Sequence, residues 1–233
     1  MSNTTPMNAD QMLAALRAEG LRITEHPGWR NHHRPDRPWG PMNGVLIHHT
    51  GGNPPSDLNV VWTGRAGLPG PLCHAYLAKN GIVTMIGNGR ANHAGAGDAE
   101  VYRQVVRENY GDRPSRPVKD TVDGNTHFYG LEISNPGKGQ AFPPAQYQAA
   151  VRWAAAICRH YRWTAKSVIG HSEWTKRKSD PNFSMVQFRK DVQARLQHRG
   201  VATSAAEAEG ACAPVPEAEA ATALIGDTMT DLP

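Results

Sequence analysis

Two histidines in the sequence each follow a short apolar run that is typical of a buried strand. His48 comes after residues 45–47, His171 comes after residues 168–170, and Asp180 lies in a polar loop nine residues beyond His171. Side chains at strand ends are held rigidly, so these three groups are candidates for one site. Two neutral imidazoles and one carboxylate suit a zinc site that leaves a fourth position for water. The spacing also permits a simpler interpretation, in which all three are ordinary surface polar residues.

Glu132 lies inside another apolar run, residues 130–133. An ionised carboxylate within a buried strand is costly unless it has a task or a partner. The sequence therefore indicates either a functional carboxylate or a buried salt bridge at this position.

The elements that must position these residues are predicted from the apolar pattern and the turn residues. The predicted strands are residues 44–48, 74–79, 82–86, 128–134 and 168–170, and the clearest predicted helices are 8–19, 143–161 and 185–199. Asn80 and Gly81 predict a hairpin with a type I′ turn between the second and third strands. This order favours the α/β class, with a mixed central β-sheet flanked by helices.

Charge is distributed unevenly along the 233-residue chain. Residues 201–233 contain six acidic residues and no Lys or Arg, whereas residues 1–200 contain 25 basic and 15 acidic residues, a net charge of +10. A segment with this positive charge attracts polyanions, which include nucleic acids, anionic membranes and a bacterial wall rich in phosphate and carboxylate. Charge alone does not choose among them.

Several classes of protein are excluded by composition. No stretch approaches the roughly 18 apolar residues of a membrane span, so a transmembrane protein is not expected. The first residues lack the pattern of a Sec signal peptide, and we expect none. The three cysteines, Cys73, Cys158 and Cys212, form no C-x-x-C pair. They support neither a disulfide framework nor a cysteine-rich zinc module, and a reducing compartment is the simpler interpretation.

Five blocks of sequence resemble the zinc-dependent N-acetylmuramoyl-L-alanine amidases, a family that includes phage endolysins and is related to the peptidoglycan-recognition proteins. The blocks follow the family's order and are residues 45–52, 73–82, 91–95, 129–137 and 170–181. The resemblance covers about residues 40–195, and the run 68–71 is most similar to lysins of actinobacterial phages. It implies a peptidoglycan-recognition-protein-like fold, with residues 1–40 as an N-terminal helix and extended lead-in, 41–199 as the catalytic domain and 200–233 as a flexible acidic tail.

The resemblance also implies a role for each candidate residue. His48, His171 and Asp180 would bind Zn²⁺, and His49 is expected to face the opposite side of its strand. Glu132 would serve as the general base, because the Tyr that other members place before the hairpin histidine is Cys73 here.

Four further residues are implied at or near the reacting bond. Lys178 would stabilise negative charge on the carbonyl oxygen. The alternative is a solvated lysine, which is the usual state of residues in a basic run such as 176–178. His93 and Asn92 would line the substrate groove, where relatives carry an aromatic residue in place of Asn92. The alternative for His93 is a structural histidine of the loop. Trp174 is the tryptophan expected to stack on substrate.

These roles imply a peptidoglycan hydrolase that cleaves the amide bond between N-acetylmuramic acid and L-alanine by zinc-activated water. As an endolysin it would be a monomer, made in the host cytoplasm before lysis and acting on the cell wall, with no nucleic-acid partner and no membrane span. The alternatives are a catalytically silent peptidoglycan-binding module, a zinc endopeptidase of the wall peptide, and a nucleic-acid-binding regulator suggested by the pI near 9.1. The absence of a signal-peptide pattern fits a cytoplasmic recycling amidase as well as it fits a phage endolysin.

Overall fold

The computed structural model describes residues 4–198, so the predicted acidic tail lies outside the described part. The strands are β1 (Ile23–Glu25), β2 (Gly44–His49), β3 (Gly64–Arg65), β4 (Leu68–Pro69), β5 (Ala75–Leu77), β6 (Val83–Met85), β7 (Ala96–Asp98), β8 (Asp120–Asp123), β9 (Phe128–Ile133) and β10 (Val168–Gly170). The α-helices are α1 (Ala9–Ala18), α2 (Ser56–Thr63), α3 (Ala99–Arg107), α4 (Pro144–Tyr161), α5 (His171–Trp174) and α6 (Met185–Gln197).

The central sheet has six strands in the order β1-β6-β5-β9-β2-β10. Its strand pairs are parallel except for β5 and β6, which form the predicted hairpin. The sheet is therefore mixed, as the α/β prediction stated. Two small two-stranded sheets, β3-β4 and β7-β8, lie outside it.

The hairpin is present, but its turn differs from the predicted type. Only Gly81 takes a positive φ, of 79°, whereas a type I′ turn also needs one at Asn80. The amide of Gly81 donates to the carbonyl of Ala78 at 3.0 Å, and the amide of Ala78 donates to the carbonyl of Ile82 at 3.0 Å. The loop thus has three residues and ends on the left-handed glycine, which is the next most common hairpin geometry.

Helices cover both faces of the sheet because β2 and β9 alternate apolar side chains between two clusters. Val45 and Ile47 pack with α1, α4 and α6 in the larger cluster. Leu46 packs on the other face with residues of α3 and α5. The same period of two places His48 on the α3 face and His49 on the α4 face.

The segment before β2 shares this core. Helix α1 begins with a capping box, in which Asn8 and Gln11 exchange side-chain and backbone hydrogen bonds. Its apolar side chains, including Leu13 and Leu16, are buried in the larger cluster with α4. Within residues 4–198, no helix is long and apolar enough to cross a membrane.

Candidate active site

The three predicted ligand residues meet at one end of the sheet. β2 and β10 are parallel neighbours with Ile47 opposite Gly170, so His48 and His171 leave their strands side by side. The loop after α5 folds back, and the amide of Ser172 donates to the carbonyl of Asp180 at 2.7 Å. This bond holds Asp180 beside both histidines.

The donor atoms of these residues face one another. His48 Nδ1 lies 2.9 Å from His171 Nδ1 and 3.2 Å from Asp180 Oδ2, and His171 Nδ1 lies 3.1 Å from the same oxygen. All the donor atoms lie within 4.8 Å of one another. Both histidines are buried and the Asp180 side chain is 13% exposed. Such a set could hold a divalent metal ion.

The far side of each imidazole has a partner of its own. His171 Nε2 lies 3.3 Å from the carbonyl oxygen of Ala94, which only accepts, so Nε2–H donates and the Nδ1 lone pair is left for a metal. His48 Nε2 lies 3.1 Å from His93 Nδ1. The protein atoms thus fit a metal bound at the two Nδ1 atoms, because ligand histidines usually hold their second nitrogen in this way.

The electrostatic environment favours the forms that bind a cation. Burial, with a smaller contribution from nearby His171, lowers the pKa of His48 to about 4, so its imidazole is neutral at pH 7. Burial raises the pKa of the Asp180 carboxyl, but hydrogen bonds with His171 and His48 outweigh it and bring the pKa below its usual range. A neutral imidazole and an ionised carboxylate are the states that ligate zinc.

Glu132 lies directly beside this group. On β9 it pairs in register with His48 of β2 and with Tyr76 of β5, so the three side chains share one face of the sheet. Burial, then the charge of Asp180, raises the pKa of Glu132 well above its usual range, and the charge of Lys178 opposes them. Its buried Oε2 has no hydrogen-bond partner among residues 4–198. This carboxyl group is suited to exchanging a proton.

Lys178 is the member of its basic run that reaches the site. It lines the same cleft as Glu132 and Asp180. Its neighbour Arg177 is instead engaged with Asp120 at 2.6 Å and with the carbonyl of Ala96 at 2.8 Å. The predicted choice of Lys178 within the run therefore agrees with its position.

The cleft has a volume of about 370 Å³. One wall, which we call the metal wall, consists of the lining residues His171, Asp180, Glu132 and Lys178 together with the buried His48 that adjoins His171 and Asp180. The opposite wall, which we call the helical wall, is formed by α2 with β3 and β4, and its lining residues are Ser56, Val60, Val61, Arg65 and Leu68.

The predicted substrate residues Asn92 and His93 both line the cleft. The Asn92 side chain donates to the carbonyl of Pro69 at 2.8 Å, which joins its loop to β4. His93 is largely buried, and burial together with the neighbouring His48 and His74 holds its pKa well below the usual value. It contacts His48 more than it contacts the open cleft.

The prediction that Trp174 stacks on substrate is wrong for this structure. The indole is fully buried and packs edge-on against Phe128, with ring centroids 5.0 Å apart. It fits between two glycines, since a Cβ at Gly97 would lie 2.0 Å from the ring and one at Gly124 would lie 2.9 Å from it. Trp174 is a core residue because the single turn of α5 directs it inward.

The sequence analysis missed Asp57, a buried carboxylate at the start of α2. It accepts hydrogen bonds from Tyr76 at 3.0 Å, Ser134 at 2.6 Å and Thr50 at 3.2 Å. These bonds tie the helical wall to the ends of β2, β5 and β9. An acidic residue in a first helical turn is common, so nothing in the sequence distinguishes this one.

An α/β domain with a His, His, Asp donor set and an adjacent carboxyl group is an arrangement found in metal-dependent hydrolases. Within that class, the sequence profile described as N-acetylmuramoyl-L-alanine amidase matches residues 38–183. The match spans more than half of the chain, and the protein belongs to this family. It is therefore a peptidoglycan amidase, as the sequence blocks implied.

Solved structures of amidases are similar to this chain at low sequence identity. The endolysin N-acetylmuramoyl-L-alanine amidase LysCS from Clostridium intestinale URNW is 17% identical, with a TM-score of 0.47, and the match covers 76% of this chain and 95% of that one. The Ph2119 endolysin from the Thermus scotoductus MAT2119 bacteriophage Ph2119 is 15% identical, with a TM-score of 0.45 and coverages of 73% and 99%. No curated protein matches the sequence.

Proposed function

We propose that this amidase hydrolyses the bond between N-acetylmuramic acid and L-alanine with Zn²⁺ bound by His48, His171 and Asp180. The observation that carries the proposal is the convergence of the ligand atoms within 4.8 Å at a cleft that Glu132 and Lys178 also line. Three protein ligands of this type leave one coordination position open, which is characteristic of catalytic zinc. Bound zinc would supply a Lewis acid for the carbonyl and lower the pKa of a water molecule to about 7.

Glu132 is the proton carrier in this proposal. Its position beside His48 in register places it next to the ligand set, and its raised pKa suits a group that must both take and return a proton. It would accept a proton from the attacking water and later give one to the amine of L-alanine as the amide bond breaks. The nearby charge of Lys178 favours the ionised form that this first step needs.

Lys178 would stabilise the negative charge that develops on the carbonyl oxygen. Its ammonium group has no hydrogen-bond or ion-pair partner within residues 4–198, so it is available to a bound substrate. Asn92 and the helical wall would hold the glycan and the stem peptide. A catalytically silent binding module would have no need to keep this whole set of residues.

The remaining parts of the proposal concern where the enzyme acts. We propose that it is a monomeric endolysin of a phage, made in the host cytoplasm and acting on the cell wall. The net charge of +10 on residues 1–200 would attract the anionic wall, and added salt would weaken that attraction.

The test is to incubate purified peptidoglycan with the full-length protein and to measure new amino groups and new reducing sugar. The proposal expects new N-terminal L-alanine, no new reducing ends and one zinc per chain. His171→Ala should lose the metal and the activity, whereas His160→Ala, on the outer side of α4, should retain both. Amine exposed at another stem residue would make the protein an endopeptidase. Wall binding without any release of alanine would make it a binding module.

A further inference from the structure

We propose that His93 is a positioning residue that sets the tautomer and orientation of the ligand His48. The inference rests on the proposed zinc function, because it concerns how one ligand is prepared for the metal. It assigns His93 a role other than contact with substrate. The evidence is a chain of hydrogen bonds that runs from β9 through His93 to His48.

The chain of hydrogen bonds has a fixed direction. His93 Nε2 lies 3.0 Å from the carbonyl oxygen of Phe128, which only accepts, so His93 carries its proton on Nε2. His93 Nδ1 must then be an acceptor, and it lies 3.1 Å from His48 Nε2. His48 therefore donates from Nε2 and keeps a lone pair on Nδ1, the atom that faces His171 and Asp180. A backbone carbonyl thus determines which nitrogen of the ligand is free.

The surroundings of His93 hold the ring in this place. The backbone amides of His93, Ala94 and Gly95 all donate to Asn125 Oδ1, at 2.9, 2.8 and 3.1 Å. The ring lies over Gly130 of β9, where a Cβ would come within 2.4 Å of His93 Nδ1. The loop is therefore anchored from one side, and the strand leaves space for the imidazole on the other.

The orientation of the two rings agrees with a directed bond. The rings of His48 and His93 meet at 88°, with centroids 5.2 Å apart. This places a ring nitrogen of each within reach of the other without stacking. In other metal proteins, loss of such a partner behind a ligand histidine typically costs 10- to 100-fold in metal affinity.

The chain contains a matched control in His74. This histidine is also buried, and both its ring nitrogens are used: Nε2 lies 2.9 Å from the carbonyl of Gly89, and Nδ1 accepts from the amide of Gly130 at 2.8 Å. Its ring centroid lies 5.4 Å from that of His93. It makes no hydrogen bond to a ligand residue, so its loss should destabilise the fold without changing the ligands.

The experiment compares zinc affinity in the full-length wild type, His93→Leu and His74→Leu. Affinity is measured by competition with a chromophoric chelator, the ligand geometry by the visible spectrum of the Co²⁺ form, and folding by the Tm of the metal-free protein. We expect His93→Leu to bind zinc about 10- to 100-fold more weakly and to show an altered Co²⁺ spectrum. We expect His74→Leu to lower the Tm but to keep zinc affinity within about threefold of wild type, because its ring lies outside the shell that orients the ligands.

Two conservative variants keep the test decisive if His93→Leu fails to fold. His93→Asn places an amide near the position of Nδ1 and can still accept from His48. His93→Gln places its amide near the position of Nε2 and cannot replace that bond as well. The inference therefore expects His93→Asn to bind zinc more tightly than His93→Gln.

The results that would overturn the inference differ from those that would overturn the proposed function. Equal zinc affinity in wild type and His93→Leu, equal losses in His93→Leu and His74→Leu, or tighter binding by the Gln variant than by the Asn variant would each refute the positioning role. A wild type that binds zinc but releases no L-alanine would refute only the proposed function. A wild type that binds no zinc would refute both.

Discussion

The two walls of the cleft are built in opposite ways. On the metal wall, His48 and His171 are buried and each has a hydrogen-bond partner behind it. On the helical wall, Val60 is 39% exposed, and the exposed side chain of Arg65 makes no hydrogen bond or ion pair within residues 4–198. The contrast indicates that the two histidines of the donor set are held rigidly, whereas the surface of the helical wall remains open.

One buried group connects the two walls. Asp57 belongs to α2 of the helical wall, yet it accepts hydrogen bonds from Tyr76 on β5, Ser134 just beyond β9 and Thr50 just beyond β2. Strands β9 and β2 carry Glu132 and His48 of the metal wall. If the contrast is correct, a substitution on the metal wall should change turnover and one on the helical wall should change substrate binding. A substitution at Asp57 should change stability.

The largest effect is expected for Glu132→Gln on the metal wall. Glutamine keeps the volume of the side chain but cannot accept a proton, so kcat should fall by about 10²- to 10⁴-fold, with KM changed little. Steady-state kinetics on soluble peptidoglycan fragments measure kcat and KM separately, and zinc content should stay at the wild-type value. A fall in kcat of less than tenfold would show that another group takes the proton.

The next largest effect is expected for Asp57→Ala, which leaves the buried hydroxyl groups of Tyr76 and Ser134 without their acceptor. Each unsatisfied group costs about 1–3 kcal/mol, so we expect the free energy of unfolding to fall by about 2–4 kcal/mol after partial relaxation. Urea denaturation measures it, and Asp36→Ala is the control because Asp36 forms only an exposed ion pair with Arg34. A loss no larger than that of the control would contradict the view that Asp57 ties the walls together.

A smaller effect is expected for Asp98→Ala beneath the metal wall. Asp98 caps α3 through the amides of Glu100 and Val101 and also accepts from the amides of Val118 and Lys119. Burial alone raises its pKa, but these bonds outweigh burial and lower the pKa to about 2. Loss of the cap should reduce the free energy of unfolding by about 1–2 kcal/mol at pH 7.

The same carboxylate predicts a dependence on pH. A pKa that is lower in the folded state than in the unfolded chain stabilises the fold above the unfolded value, about 3.9, and this contribution is lost as the pH falls toward 2. The difference in unfolding free energy between wild type and Asp98→Ala should therefore shrink from about pH 4 to about pH 2, because these are about the pKa values of the unfolded and folded states. A difference that stays constant over this range would show that the charge of Asp98 does not contribute to the free energy of unfolding.

The smallest effect is expected for Arg65→Ala on the helical wall. Loss of one exposed cation should raise KM by about two- to fivefold and leave kcat and zinc content unchanged, because a solvated charge contributes about 1 kcal/mol or less. The effect should diminish in high salt. The control is Arg107→Ala, because Arg107 is an exposed arginine at the end of α3. An equal change in KM in both variants would show that Arg65 of the helical wall does not contribute to substrate binding.

Part of the site could be predicted from the sequence because its residues follow local signals. The apolar runs before His48 and His171 mark strands, and the polar loop with Asp180 lies only nine residues beyond the second histidine. These residues do converge in the structure, and the choice of His48 over His49 agrees with the period of two along β2. The catalytic roles of Glu132 and Lys178 stay predictions.

Other features depend on contacts between residues far apart in the chain. Trp174 resembles a surface aromatic beside the ligand loop, and only the space left by two distant glycines shows that it belongs to the core. The inward direction of Asp57 depends on hydroxyl groups from three separate segments. No local pattern records such long-range packing.

The sequence by itself determined the family and the α/β class and singled out the three residues that converge at the cleft, because residue type and short-range periodicity are local properties. Only the tertiary structure decided which partner lies behind each ligand. His93 is 45 residues from His48, and Phe128 is 35 residues from His93. Their hydrogen bonds exist because the parallel pairing of β2 with β9 places the side chains of Phe128 and His48 on the same face of the sheet.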